Sequence, residues 1–301
     1  MGKRRPPEIL RKSHAHVERK ERAEAKAALK RKLGDELVAT QERGLLIDLD
    51  GVVYAGNEPI AGAADAIAWL VDRQVPRLFL TNTTSMPRAA IARKLAGFGV
   101  LIRESEILTP PIAARRWLEH NVDGSVALFV PDVTRSEFEG LTLARTGEPV
   151  AAVVVGDYGE QWTFSALNRA FRLLMSEPRP VLVALGMTRY WQAPDGLRLD
   201  TAPFVTALAY ASGVEPIVLG KPAPAFFAAA LEELALEPGR AWMVGDDIRV
   251  DVKGAQDAGL RGVLVRTGKF RSGDLGLGIE PAVTLGSIAE LPDWWMTVSS
   301  A

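Results

Sequence analysis

From Leu45 onward the chain alternates short apolar runs with amphipathic stretches. The runs at Leu45 to Ile47, Arg77 to Leu80, Val126 to Val130, Ala151 to Val155, Val181 to Leu185, Ile217 to Leu219, Ala241 to Val244 and Gly262 to Val265 predict strands. The stretches between them predict helices at Ala61 to Leu70, Pro87 to Ala96, Pro110 to His120, Thr163 to Met175, Phe204 to Ala211, Pro224 to Leu234 and Val250 to Ala258. Ser85 is placed to cap the second of these, and Gly97 and Gly99 to stop it. Met187 to Leu199 reads as a hairpin turning at Pro194-Asp195-Gly196. Strand, short loop, helix, repeated, is the pattern of a parallel α/β sheet. The stretch from about 126 to 206 keeps that rhythm but reads as a separate unit. Trp294 and Trp295, in an apolar tail, are expected to cover a core edge.

Composition narrows the setting. A chain of 301 residues with 48% hydrophobic content has room for two domains and a sizeable core. It has no cysteine, so disulfides, thiolate metal sites and a cysteine nucleophile are excluded. No run of eighteen apolar residues occurs, and the N-terminus lacks the apolar region of a secretory signal. A soluble, cytoplasmic protein with no membrane partner is the expectation. Residues 1–43 hold thirteen Lys/Arg against seven acids, an excess of six. Since the whole chain is at −1, residues 44–301 carry −7. The arm is read as a solvated helix or disordered tail rather than a nucleic-acid binder, because no aromatic residue interleaves its charges.

Four of the predicted strands end in residues capable of chemistry: Asp48 and Asp50, Thr81 and Asn82, the turn with Lys221, and Asp246 and Asp247. In an open parallel sheet the carboxyl ends of the strands line one edge, where ligands bind. Asp48-Leu49-Asp50-Gly51 also fits a strand running into an Asx-type turn. The other three endings supply what a reactive carboxylate pair needs. Asp48, Asp50 and Asp246 offer hard oxygen ligands suited to Mg²⁺. Thr81 and Asn82 precede a helix N-terminus, which favours an anion, and Lys221 brings a mobile positive charge. That layout suits phosphoryl transfer through an aspartyl-phosphate.

The segments Asp48-Leu-Asp50-Gly51-Val-Val-Tyr54, Thr81-Asn82-Thr83-Thr84, Lys221-Pro222 and Gly245-Asp246-Asp247-Ile-Arg-Val-Asp251 resemble, in order, the four motifs of haloacid dehalogenase-like phosphatases. The long insert between the second and third motifs is similar to the subgroup with a large α/β cap. The resemblance covers about residues 43–298. It implies a Rossmann-like parallel-sheet core at 44–112 and 207–298, and an inserted α/β cap at 113–206. Carried over by position, it makes Asp48 the nucleophile and a Mg²⁺ ligand. Asp50 becomes the general acid and base, with its carbonyl on the metal. Thr81, Asn82 and Thr83 bind the phosphoryl group, and Lys221 offsets transition-state charge. Asp246 completes the metal site, with Asp247 and Asp251 supporting it from behind. Met187, Arg189, Tyr190 and Trp191, at the start of the cap hairpin, are the candidates for specificity. The implied substrate is a small phosphorylated compound, and cap surfaces of this family offer contacts for a homodimer. Gly156-Asp157 imitates the fourth motif, but Gln161 and Trp162 stand where a second acid would fall, so Asp157 is expected not to be a ligand. His14, His16 and His120 lie outside every motif.

Alternatives differ in how well they use these residues. Dehalogenation would leave Asp50 and Asp246 idle. A phosphotransferase or phosphomutase shares the aspartyl-phosphate and differs only in the acceptor. A binding or regulatory protein acting through the basic arm is disfavoured, because every acid and base group is present.

Overall fold

A computed structural model describes residues 43–299, apart from Thr146 and Pro194. The basic arm expected at 1–43 therefore lies, but for Arg43, outside the described residues. Fourteen strands are described: β1 (Gly44–Asp48), β2 (Tyr54–Ala55), β3 (Glu58–Pro59), β4 (Arg77–Leu80), β5 (Ile107–Leu108), β6 (Val126–Phe129), β7 (Ala152–Val155), β8 (Val181–Ala184), β9 (Tyr190–Ala193), β10 (Gly196–Leu199), β11 (Pro216–Val218), β12 (Ala241–Gly245), β13 (Arg261–Val265) and β14 (Val283–Leu285). Six make one sheet in the order β14-β13-β12-β1-β4-β5, and four make another in the order β11-β8-β7-β6. Every pairing in both sheets is parallel. This matches the α/β, Rossmann-like expectation.

Parallel sheets need cover on both faces, which is why their strands read as continuous apolar runs. Alternation divides β1 between two cores: Leu45 and Ile47 face one with Phe79, Val244 and Val263, while Leu46 faces another with Leu78, Met243, Phe226 and Phe227. The second core continues into the smaller sheet through Leu128, Val154 and Val183, so the two sheets share apolar packing. Trp295 and Trp294 close the first core against Trp242, as expected, with the Trp242 and Trp295 ring centroids 5.3 Å apart.

Several boundaries differ from the sequence reading. Strand 216–218 pairs with β8 and so belongs to the smaller sheet, not to the six-stranded one. The expected inner boundaries at 113 and 206 fall inside helices Pro110–Asn121 and Thr201–Ser212. The second of these helices packs through Val205 and Leu208 onto Val153, Leu182 and Ala184, so it stays with the insert. Ser85 does not cap the helix after β4; Arg88–Gly97 begins after Pro87 instead. The helix expected at 250–258 is a wide turn at Ile248–Lys253 followed by Gly254–Asp257. Among the described residues, no helix is long and apolar enough to cross a membrane.

Candidate active site

β1 is the central strand of the six, flanked by β12 and β4. Its carboxyl end therefore delivers Asp48 between Asp246, at the exit of β12, and Thr81, at the exit of β4. Lys221 arrives from the other sheet, three residues beyond β11. Asp48, Lys221, Asp246 and Asp251 are 6%, 4%, 0% and 1% exposed. Four ionisable side chains removed from water together are costly unless they satisfy one another or a ligand.

They do so in part. Lys221 Nζ lies 2.7 Å from Asp48 Oδ1 and 2.8 Å from Asp251 Oδ1. Asp48 Oδ1 also accepts the Leu49 N–H at 2.8 Å. Asp251 Oδ2 accepts the Asp247 N–H at 3.1 Å, so both oxygens of Asp251 are engaged. Asp246 Oδ2 accepts the Lys269 N–H at 2.6 Å, while Asp246 Oδ1 is buried with no hydrogen-bond partner. Burial pushes the Asp246 and Asp251 carboxyls up to about 6, in the second case against the pull of Lys221. Burial likewise raises Asp48, with Lys221 opposing. For Lys221 burial acts downward, but Asp251 and Asp48 outweigh it and hold the ammonium above its ordinary value.

Asp48, Asp246 and Asp251 bring carboxylate oxygens within 4.8 Å of one another. Three buried acids facing the paired Lys221, with the Lys269 charge also acting on them, still leave an excess of negative charge, and the unpartnered Asp246 Oδ1 is a hard donor within it. The set fits a divalent cation such as Mg²⁺. Asp251 is the least able to contribute, since Lys221 and Asp247 already occupy it.

The remaining expected residues divide. Asp50 lies two residues beyond Asp48, just past the end of β1, and is exposed. The chain reverses there, with the Gly51 N–H donating to the Tyr54 carbonyl at 2.6 Å. The Thr81 hydroxyl donates to Thr83 Oγ1 at 3.0 Å and accepts the Thr83 N–H at 3.1 Å. The Asn82 side chain is spent elsewhere: its Nδ2 donates to the Lys221 carbonyl and its Oδ1 accepts the Lys221 N–H, both at 2.8 Å. It clamps the Lys221 backbone. Asp247 caps the following turn by accepting the Arg249 and Val250 N–H groups, each at 3.0 Å.

The insert reaches this edge through its own strand ends. The Asp157 N–H donates to Thr84 Oγ1 at 3.4 Å, and a Cβ at Gly220 would lie 2.7 Å from the Leu185 carbonyl. The segment carrying Met187 thus starts beside the Lys221 turn. Met187, Arg189, Tyr190 and Trp191 are all exposed, and the Arg189 guanidinium lies 5.8 Å from the Tyr190 ring centroid. Among the described residues no hydrogen bond or ion pair joins them to the Asp48 cluster.

One loop was missed. After β13, Thr267-Gly268-Lys269 comes in beside Asp246: Lys269 donates its N–H, and the Thr267 hydroxyl donates to the Gly51 carbonyl at 2.5 Å. The signal was present, because Val265 ends a strand of the same parallel sheet and polar residues follow it.

Residues 45–144 match the family described as haloacid dehalogenase-like hydrolase, and residues 218–291 match a HAD-hydrolase-like family. The human phospholysine phosphohistidine inorganic pyrophosphate phosphatase is 39% identical over 236 residues, covering 77% of this chain and 86% of that protein. The human haloacid dehalogenase-like hydrolase domain-containing protein 2 is 40% identical over 232 residues, covering 77% and 87%. Among solved structures, the p-nitrophenyl phosphatase of Archaeoglobus fulgidus superposes with a TM-score of 0.77 at 26% identity, covering 84% of this chain and 99% of that one.

Proposed function

The chain belongs to the haloacid dehalogenase-like hydrolases and is a phosphatase of that family; from that premise we propose that it hydrolyses a small phosphorylated compound through an aspartyl-phosphate on Asp48, with Mg²⁺ as cofactor. One observation carries the reading. A buried carboxylate, Asp48, is fixed on one oxygen by Leu49 N–H and Lys221, beside a second carboxylate, Asp246, with an unpartnered oxygen.

Asp48 Oδ1 is engaged, which leaves Oδ2 to attack phosphorus. The bond from phosphorus to the leaving oxygen breaks as Asp50 donates a proton to that oxygen. Asp50, exposed at the mouth, then takes a proton from the water that attacks the phosphoryl group, and phosphate departs as Asp48 is restored. Lys221, held charged between two carboxylates, offsets negative charge building on the phosphoryl oxygens. The Thr83 hydroxyl, oriented by Thr81, and the Asn82 backbone N–H hold those oxygens, since the Thr81 proton goes to Thr83 and the Asn82 side chain is committed to Lys221. Asp48, Asp246 and the Asp50 carbonyl would hold Mg²⁺, which would supply positive charge to offset that of the phosphoryl group. Asp251 and Asp247 keep Lys221 and the Asp246 loop in place.

The cap, placed between helix Pro110–Asn121 and the Gly220-Lys221 turn, closes over this edge, and Met187, Arg189, Tyr190 and Trp191 select the substrate. Its exposed Leu197, Leu199 and Tyr210 support a homodimer through the same unit. A cytoplasmic location accords with the absence of cysteine.

The test is a screen of phosphorylated metabolites with and without Mg²⁺, using Asp48→Asn as the blank. Turnover is expected to fall by roughly a thousandfold or more in that variant, with the circular dichroism spectrum unchanged. Full activity in Asp48→Asn would sink the mechanism.

A further inference from the structure

The cap holds a second concavity, away from the Asp48 cluster. A cavity of about 610 Å³ opens between the first residues of β6, the segment 143–150 and helix Phe164–Leu174. That is within the range of small-molecule sites, roughly 300–1,000 Å³. The cavity sits at the starts of β6 and β7, whereas the ends of the cap strands approach the Asp48 edge through Asp157 and Leu185. None of its lining residues belongs to the catalytic set.

Its charge is unusual for this chain. Arg135, Arg145, Arg169 and Arg172 line it, and none has an ion-pair partner among the described residues. The acids of the wall are Glu148 and Glu177; the first accepts the Arg145 backbone N–H at 3.0 Å and the second lies 4.0 Å from Arg179. The lining therefore carries a formal +2, on a body whose residues 44–301 carry −7. Such a concentration of cations in a concave surface raises the local potential for anions.

The walls are anchored. Segment 142–150 is tied to β6 by Val126 N–H to the Thr142 carbonyl at 2.8 Å and Ala144 N–H to the Val126 carbonyl at 3.0 Å. Helical spacing puts Ser165, Asn168, Arg169, Arg172 and Leu173 on the cavity face, while Ala170 and Leu174 enter the cap core. The Arg169 guanidinium lies 4.6 Å from the Phe129 ring centroid, which fixes its planar fork. Val126, Leu128, Val150 and Leu173 add an apolar wall.

We infer that this cavity binds a phosphorylated organic anion of about nucleoside-monophosphate size, at a site separate from the catalytic one. Guanidinium forks match phosphate oxygens two at a time. A phosphomonoester carries about −1.5 to −2 at neutral pH, which complements the lining. The apolar wall accommodates the organic body, a surface that inorganic phosphate would leave unused. The inference does not depend on the chemistry at Asp48.

The probe is AMP, titrated calorimetrically into the full chain with Mg²⁺ present and Asp48→Asn in the background, so that no probe is consumed. An AMP-binding equivalent is expected whose affinity falls at least about tenfold when Arg145→Glu and Arg172→Glu are added, and by less with Arg145→Gln and Arg172→Gln. Adenosine is expected to give no corresponding heat. Identical AMP isotherms with and without the paired substitutions would overturn the inference, as would adenosine matching AMP. In an otherwise wild-type chain, Arg145→Glu with Arg172→Glu is expected to hydrolyse p-nitrophenyl phosphate at the unaltered rate. Loss of turnover together with AMP binding would show that the site is not separate.

Discussion

Asp246 accepts the Lys269 N–H on one oxygen while Gly51 and Gly268 approach the same oxygen from two sides. Gly51 has φ +88° and Gly268 φ +58°, a region that L side chains rarely adopt, and a Cβ at either would overlap the Asp246 carboxylate. The bare backbone at Gly51 thus keeps the chain clear of Asp246. Gly51→Ala should therefore displace a proposed metal ligand. We expect the Mg²⁺ concentration for half-maximal turnover to rise about tenfold or more, with about 1–3 kcal/mol of stability lost to backbone strain. A Mg²⁺ titration of p-nitrophenyl phosphate hydrolysis, with a denaturant melt alongside, reads both effects. Unchanged half-saturation would show that Asp246 tolerates the added methyl and that its placement does not set metal affinity.

At the scale of elements, the site depends on joining pieces from two sheets. Asp48, Thr81 and Asp246 were legible because they follow apolar runs of one sheet, and strand ends of a parallel sheet share an edge. Lys221 was expected at this edge, and the structure brings it there by another route. Its strand, Pro216–Val218, pairs with β8, and the lysine reaches Asp48 because Asn82 grips its backbone from the exit of β4. An apolar run of three residues carries no signal of which sheet it joins, so that difference could not be read from periodicity. The Thr267-Gly268-Lys269 loop was readable by the strand-end rule but resembles an ordinary turn in composition. Helix Thr201–Ser212 was placed partly in the core because its cap partners, Val153 and Leu182, are distant in sequence. The clamp itself is testable. Asn82→Ala leaves the Lys221 N–H and carbonyl without their partner, and about 1–3 kcal/mol of stability should be lost. The kcat should fall more than KM rises, because the ammonium is misplaced rather than removed. Asn82→Asp keeps the acceptor for the Lys221 N–H and should recover part of the loss. Equal behaviour of Asn82→Ala and wild type in kcat would remove the clamp from the mechanism.

At the scale of the whole molecule, the buried acids couple stability to pH and to Mg²⁺. Asp246 and Asp251 titrate near 6 in the folded chain because burial disfavours their charged forms, against about 3.9 in an unfolded one. Between those values the folded state binds more protons, so the metal-free protein loses stability as pH rises from about 4 to about 6 and does not regain it above. Glu106 acts in the opposite sense, at lower pH. Burial would raise it, but the Arg103 backbone and side-chain hydrogen bonds, with the charges of Arg77 and Arg103, hold it below its ordinary value. Its contribution is present above about 4.5 and is lost on acidification, so it does not change across pH 5 to 7.5. Lys221 stays charged throughout, held up by its two carboxylates. A divalent cation competes with those protons, so its stabilising effect should grow as the acids ionise. We expect Tm in EDTA to fall between pH 5 and pH 7.5, and the rise in Tm at saturating Mg²⁺ to be larger at pH 7.5 than at pH 5. Asp246→Asn should flatten both trends, since it removes one titrating group and the unpartnered oxygen that offers itself to the ion. Differential scanning calorimetry of wild type and Asp246→Asn at the two pH values separates the outcomes: a Mg²⁺ increment independent of pH, or unchanged by the substitution, would mean that the cation is held somewhere other than beside Asp246.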